Sequence, residues 1–281
     1  MVSVKRFVQD EPALFKASQE FVCLFASSPD PIVHVVCKAK AVPPTVRIAW
    51  MLLGTVLFQN RSYPEIVALL TALYKKFPAE KLWTLPVPGG KEIEAVVEET
   101  FGSRNWNLFE NVAGIFWSVG MFVRHHPDLE AWARERTPEE MWRDLGEIYF
   151  MGKSNPRPKA SAAVYRLLAP APLGLGIACR SAKRMPPLPL TMGARRFLAI
   201  LGPAKEGGFA DLNPEEKQKL ANKYFVALAP ENPYLGAHSL QFFLEQGSED
   251  FICRQHTKHC IKCPLYEFCG YAEHHDKAAL C

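Results

Sequence analysis

Cys253, Cys260, Cys263 and Cys269 are spaced C-x6-C-x2-C-x5-C near the C-terminal end of a chain of 281 residues. Four thiolates close in sequence can hold one tetrahedral zinc or an iron-sulfur cube, because both want four soft donors converging on a compact centre. Structural zinc sites favour two short C-x2-4-C knuckles, and only Cys260 and Cys263 form one here; the wider gaps of six and five suit the larger cluster. His256 and His259 are further candidate zinc ligands, although beside a full set of cysteines they read as solvated loop residues. Cys23, Cys37, Cys179 and Cys281 lack the grouping and read as core or incidental thiols. Five of the eight cysteines crowd into the last thirty residues, which argues for a cofactor rather than a disulfide framework in a reducing compartment.

The second chemical feature is a field of charge. The net charge is only +4, yet the 58 residues from Ile148 to Lys205 contain no Asp or Glu and ten Lys or Arg. Solvated surfaces mix signs, so a one-sign stretch of this length points to a polyanionic partner, with nucleic acid first. The alternative is a basic face neutralised by acids from elsewhere in the fold.

The elements that must carry these groups read as helical nearly throughout. Thr137-Pro138-Glu139-Glu140 has an N-cap residue, a proline at the first helical position and a capping-box glutamate, ahead of Met141, Trp142, Leu145, Ile148 and Tyr149 at helical spacing. This helix is expected to end near Phe150. Asn213-Pro214-Glu215-Glu216 repeats the start signal ahead of Leu220, Ala221, Tyr224 and Leu228. Pro233 opens a further helix containing Leu235, Leu240, Phe243 and Leu244, with Gly247 as its stop. Ala169 to Pro189, rich in proline, reads as an irregular insertion over the surface. The apolar run Ile48 to Phe58 is eleven residues, short of the roughly 20 that span a bilayer, and reads as a buried helix. A composition 48% hydrophobic and 22% charged excludes disordered, collagen-like and coiled-coil classes. Lys5, Arg6, Asp10 and Glu11 break any signal-like apolar start, so a cytoplasmic, nucleoid-associated location is expected.

The cysteine spacing at the end of a helical chain resembles the iron-sulfur branch of the helix-hairpin-helix DNA glycosylases, the endonuclease III and MutY type, over roughly Arg47 to Tyr271. The resemblance implies a 4Fe-4S cluster on Cys253, Cys260, Cys263 and Cys269 that orders a basic loop against DNA and does no redox catalysis. It aligns Ile48 to Asn60 with the family's buried helix and Gln-containing turn. Gln59 would then probe the gap left by a flipped-out nucleotide, with Asn60 beside it; a polar helix terminus is the alternative role.

Met151 to Ala162 is similar to the family's hairpin, L-P-G-x-G-x-K, which offers backbone N–H groups and a helix N-terminus to a DNA phosphate. Gly152, Lys153, Ser154 and Arg157 are the DNA-contacting candidates there. One of the two glycines is missing and three extra residues precede the lysine. Lys159 falls where bifunctional members keep a Schiff-base lysine; a phosphate contact is its alternative role. The family's catalytic carboxylate, in V-D-T-H-x-x-R, is replaced by Thr191 in Leu190-Thr191-Met192-Gly193-Ala194-Arg195-Arg196, with Arg195 and Arg196 as further DNA contacts. Thr191 can cap a helix and hold a water but carries no negative charge.

The expected fold is all-α, a two-lobed helix-hairpin-helix architecture with a C-terminal cluster loop. Residues 1–45 are expected to form an N-terminal extension on the cluster-bearing lobe, 46–168 the helical barrel lobe ending in the hairpin, 169–189 the insertion, and 190–281 the remaining helices and cluster loop. The expected activity is a base-excision DNA glycosylase of altered chemistry, with abasic-site lyase activity through Lys159. The alternative is a non-catalytic iron-sulfur protein that binds DNA lesions or structures. The expected partner is double-stranded DNA with a damaged or modified base, bound by a monomer.

Overall fold

A computed structural model describes residues 3–38, 42–59, 61–77, 83, 89–152, 156–181, 184–205, 208–243 and 263–270. Every regular element among them is a helix. None of these helices is long and apolar enough to cross a membrane. The chain divides into two compact units, Pro29–Pro186 and the pairing of Met1–Ser28 with Pro187–Cys281.

Within Pro29–Pro186 the hub is α4 (Pro44–Leu57). It packs against α3 (Pro31–Lys38), α5 (Tyr63–Lys76), α7 (Val112–His125), α8 (Leu129–Arg134) and α10 (Pro158–Leu168), and Ile48 through Leu57 are all buried. A helix apolar on every side has no solvent face to keep. Neighbouring helices approach closely over Gly54, where a Cβ would lie 2.8 Å from both Ile32 Cγ2 and Leu70 Cδ1. Around the hub, α6 (Gly90–Phe101) packs on α5 and α7, and α9 (Pro138–Leu145) packs on α10.

The sequence start signals hold locally. Thr137 N and Oγ1 donate to the Glu140 carboxylate at 2.8 and 2.9 Å, closing the expected capping box of α9. That helix stops at Leu145, five residues before Phe150. The backbone leaves α geometry through successive turns to a left-handed Phe150, φ 63°. Ile148 is nonetheless buried, so its apolar spacing recorded burial in the turn and not another helical turn.

One buried ion pair ties this unit together. Arg166 on α10 donates from Nε to Asp30 Oδ2 at 3.0 Å, and their side chains are 4% and 1% exposed. Its other nitrogens donate to Thr55 Oγ1 of α4 at 3.0 Å and to the Tyr63 hydroxyl of α5 at 3.3 Å. Asp30 Oδ1 accepts from Ile32 N and Val33 N at 3.0 and 3.1 Å, capping α3. The break expected at 45/46 therefore lies instead at Ser28/Pro29: α3 is held to α10 through its own cap.

The proline-rich segment is pinned where it leaves α10. Leu175 N, Gly176 N and Ile177 N donate to the carbonyls of Arg166, Ala169 and Leu167 at 2.8, 2.9 and 2.9 Å, satisfying acceptors that a helix C-terminus leaves open. Gly174 allows this return, since a Cβ there would lie 2.4 Å from Ala169 O.

The other unit holds α1 (Val4–Asp10), α2 (Pro12–Leu24), α11 (Met192–Ile200), α12 (Gly208–Asp211), α13 (Pro214–Leu228) and α14 (Pro233–Leu240). Its two chain segments share an aromatic core: Phe21 meets Phe243 at 6.2 Å, Phe25 meets Phe242 at 4.9 Å, and Phe7 meets Tyr224 at 5.8 Å between ring centroids. Asn213 closes the expected capping box with Glu216. α14 ends at Leu240, before Phe243, which follows in a turn; Leu244 and Gly247 lie outside the described residues.

Removing the guanidinium should leave the Asp30 carboxylate buried without its cation. Arg166→Met is expected to cost about 3–5 kcal/mol of unfolding free energy, read as a lower urea midpoint. Combining it with Asp30→Asn should recover part of that loss, because no uncompensated charge stays buried. A single-variant loss below about 1 kcal/mol would mark the pair as solvated.

Candidate functional site

The hairpin between α9 and α10 is held by its own side chains. Arg157, the N-cap of α10, sits in the left-handed region at φ 47°. A non-glycine residue pays about 1–3 kcal/mol to stay there. The Arg157 guanidinium lies over the Trp142 ring at 5.1 Å from its centroid, and Nη1 donates to Arg143 O at 3.5 Å, where a helix C-terminus favours a cation. Trp142 Nε1 in turn donates to Ser161 Oγ at 3.0 Å, closing a clasp from α9 to the second turn of α10. Gly152 adopts φ 107°, a conformation that L side chains rarely take. Lys153 and Ser154 lie outside the described residues.

Lys159 enters α10 just after Pro158, and its half-buried side chain reaches the end of α4. Nζ donates to Val56 O at 2.7 Å and to Gln59 Oε1 at 2.8 Å. Burial pushes the ammonium from its ordinary 10.5 down to about 8, since a charged group loses solvation that two neutral acceptors replace only in part. Gln59 is held in turn: its backbone oxygen accepts from Trp106 Nε1 at 2.8 Å, and the preceding Phe58 stacks on Tyr63 at 4.0 Å. Two residues singled out from separate stretches of sequence, Gln59 and Lys159, are thus in direct contact. Asn60 lies outside the described residues.

Thr191, Arg195 and Arg196 belong to the other unit. Thr191 Oγ1 accepts from Ala194 N at 3.3 Å and caps α11; Arg195 is exposed and Arg196 half-buried. The start of α11 is pressed onto backbone, since a Cβ on Gly193 would lie 2.1 Å from Gln241 O.

Of the four cluster cysteines, Cys253 and Cys260 lie outside the described residues. Cys263 and Cys269 flank one short turn containing the 3-10 helix Tyr266–Phe268, where Leu265 is fully buried and Tyr266 N donates to Cys263 O at 3.0 Å. Both thiols are partly exposed, and two soft donors brought to one turn suit either metal chemistry named above. Cys23 and Cys37 are exposed rather than core thiols, on the outer faces of α2 and α3.

The ten-charge stretch is less uniform in space than in sequence. Arg166 is spent on Asp30, and Lys205 Nζ donates to Glu11 Oε1 at 2.5 Å, so two of the ten are neutralised by distant carboxylates. Sequence reasoning counted Arg166 as field and missed its partner. The available signal was a single charge inside the apolar run Ala162 to Ala169, a position with no solvent stripe to occupy.

Comparison of the chain with protein-family models, with curated proteins and with solved structures finds no match.

The lowered affinity of Lys159 for its proton has a direct readout. Reductive methylation mapped by peptide mass spectrometry should modify Lys159 half-maximally near pH 8, since burial lowers its pKa to about 8, against roughly 10.4 for lysines of the denatured chain. Below that midpoint the amine is charged and inert; above it the neutral nucleophile accumulates. A midpoint in the denatured range would place the amine in solvent.

Proposed function

We propose that the chain is a helix-hairpin-helix DNA repair protein of the iron-sulfur type. It hydrolyses the N-glycosidic bond of a damaged or modified base flipped from a duplex, and it acts on the resulting abasic site through Lys159. The observation that carries this reading is the Lys159 amine, half-buried between Val56 O and Gln59 Oε1 with its proton affinity lowered to about 8. At pH 7 roughly a tenth of such amines are neutral, several hundred times the fraction for an ordinary lysine.

The chemistry follows from that amine. Its lone pair forms a bond to the aldehyde carbon of a ring-opened abasic sugar, and the carbonyl π pair moves to oxygen. One N–H proton passes to that oxygen through water; the hydroxyl then leaves with the second N–H proton as water, giving an imine. The aldehyde is already an electrophile, so this step needs no carboxylate. Base release does: an oxocarbenium-like centre gains most from a nearby negative charge, and Thr191 brings none. Asp30 is no substitute, because Arg166 and two backbone N–H groups occupy both its oxygens. Base excision on this reading is confined to intrinsically labile leaving groups, such as cationic alkylated purines.

Cys253, Cys260, Cys263 and Cys269 would hold the 4Fe-4S cluster, whose contribution is to order the loop that carries them. DNA contact falls to Gly152, Lys153, Ser154, Arg157, Arg195 and Arg196, with Gln59 and Asn60 at the flipped nucleotide. One observation favours a second reading, a non-catalytic DNA lesion or structure binder: Lys159 donates to a carbonyl in the last turn of α4, which is also what a helix cap does.

Two measurements test the proposal. Borohydride should trap the protein covalently on a duplex with an abasic site, and Lys159→Ala should abolish trapping while keeping most of the affinity; binding without trapping in the wild type selects the second reading. Protein purified without oxygen should be brown with about four irons per chain, and Cys260→Ala should lose the iron and weaken duplex binding. Stoichiometric zinc with no iron would overturn the cluster.

A further inference from the structure

We propose that Gln59 is a positioning residue for Lys159, fixing the direction of the amine lone pair; the inference rests on Lys159 being the nucleophile. A neutral amine has two N–H bonds and one lone pair, with the bond to Cε taking the fourth tetrahedral direction. Val56 O at 2.7 Å and Gln59 Oε1 at 2.8 Å take both N–H bonds. The lone pair is left with one direction, set by the two acceptors and the side chain itself. An ammonium in the same place keeps a third N–H beyond these two oxygens, so the acceptor pair matches the reactive, neutral form.

The two acceptors are not equivalent. Val56 O is backbone in the last turn of α4 and cannot move without the helix. Gln59 Oε1 is the only side-chain member of the pair, and its backbone is pinned by Trp106 Nε1 at 2.8 Å. Losing it would leave the amine tethered by one hydrogen bond and free to rotate about it, so the lone pair would sweep a cone. A nucleophile that must meet one carbon of a bound sugar is sensitive to such loss of aim; a small aldehyde in solution, arriving from any direction, is not. That difference separates positioning from basicity.

Three readouts on the full-length protein test it. They are the rate of borohydride trapping at saturating abasic duplex, duplex affinity, and modification of Lys159 by formaldehyde and cyanoborohydride without DNA. Gln59→Leu is expected to slow trapping at saturating duplex about tenfold to a hundredfold while formaldehyde modification without DNA changes less than about threefold; affinity, which Gln59 also serves at the flipped nucleotide, is measured so that trapping is compared at saturation. Gln59→Glu, nearly isosteric, sets a carboxylate beside the amine and should raise the pH midpoint of Lys159 modification by about a unit or more. Wild-type trapping at saturation by Gln59→Leu, with an unmoved midpoint in Gln59→Glu, would overturn the inference. If the wild type fails to trap DNA while Gln59→Glu still moves the midpoint, the contact stands and the DNA chemistry falls; the two failures are therefore distinct.

Discussion

A guanidinium without water must be surrounded by acceptors, and most of the Pro29–Pro186 unit is arranged around that requirement at Arg166. The group cannot shed its charge, so its neighbours are fixed: the Asp30 carboxylate at the start of α3, the Thr55 hydroxyl in the last turn of α4 and the Tyr63 hydroxyl at the start of α5. α10 cannot slide or rotate against those helices without leaving a buried charge unpaired, which is far costlier than the pair is stabilising. Lys159 lies seven residues earlier on α10, two turns along the same face. The amine meets the end of α4 because the guanidinium has already set the register of α10 on α4.

The hairpin works by a different economy. Arg157 holds a left-handed backbone at the start of α10, and the compensation is local: its guanidinium covers Trp142, whose indole N–H is used by Ser161. The clasp fixes where α10 begins although the Arg157 side chain makes no cap hydrogen bond of its own. Electrostatics of the acid-free stretch are correspondingly selective. Arg166 and Lys205 serve the fold through carboxylates more than 130 residues away in sequence.

Legibility in the sequence followed the range of the interactions. Capping boxes at Thr137 and Asn213, the prolines behind them and the burial of α4 are decided within a few residues, and each was readable. The end of α9 was not, because the left-handed Phe150 and the turn before it are set by packing of Ile148 rather than by spacing. The break at Ser28/Pro29 was missed for a related reason: Asp30-Pro31 looks like an ordinary cap, and its second carboxylate oxygen is claimed from α10. Gln59 and Lys159 were both singled out from the resemblance. Their contact, 100 residues apart in sequence, was not legible, because no local pattern encodes which amide an amine will meet.

On the proposed reading, that contact bears on what Thr191, standing where the resembled family has a carboxylate, does to the chemistry. A site that hydrolyses a stable glycosidic bond must supply charge to a developing cation; a site that captures an aldehyde must supply a neutral, aimed amine. The two requirements pull on different residues. Burial and two acceptors at Lys159 meet the second requirement within its own unit; in the other unit, the Thr191 hydroxyl is engaged with Ala194 N. On the proposed reading the scaffold has shifted its weight from bond hydrolysis toward carbonyl capture.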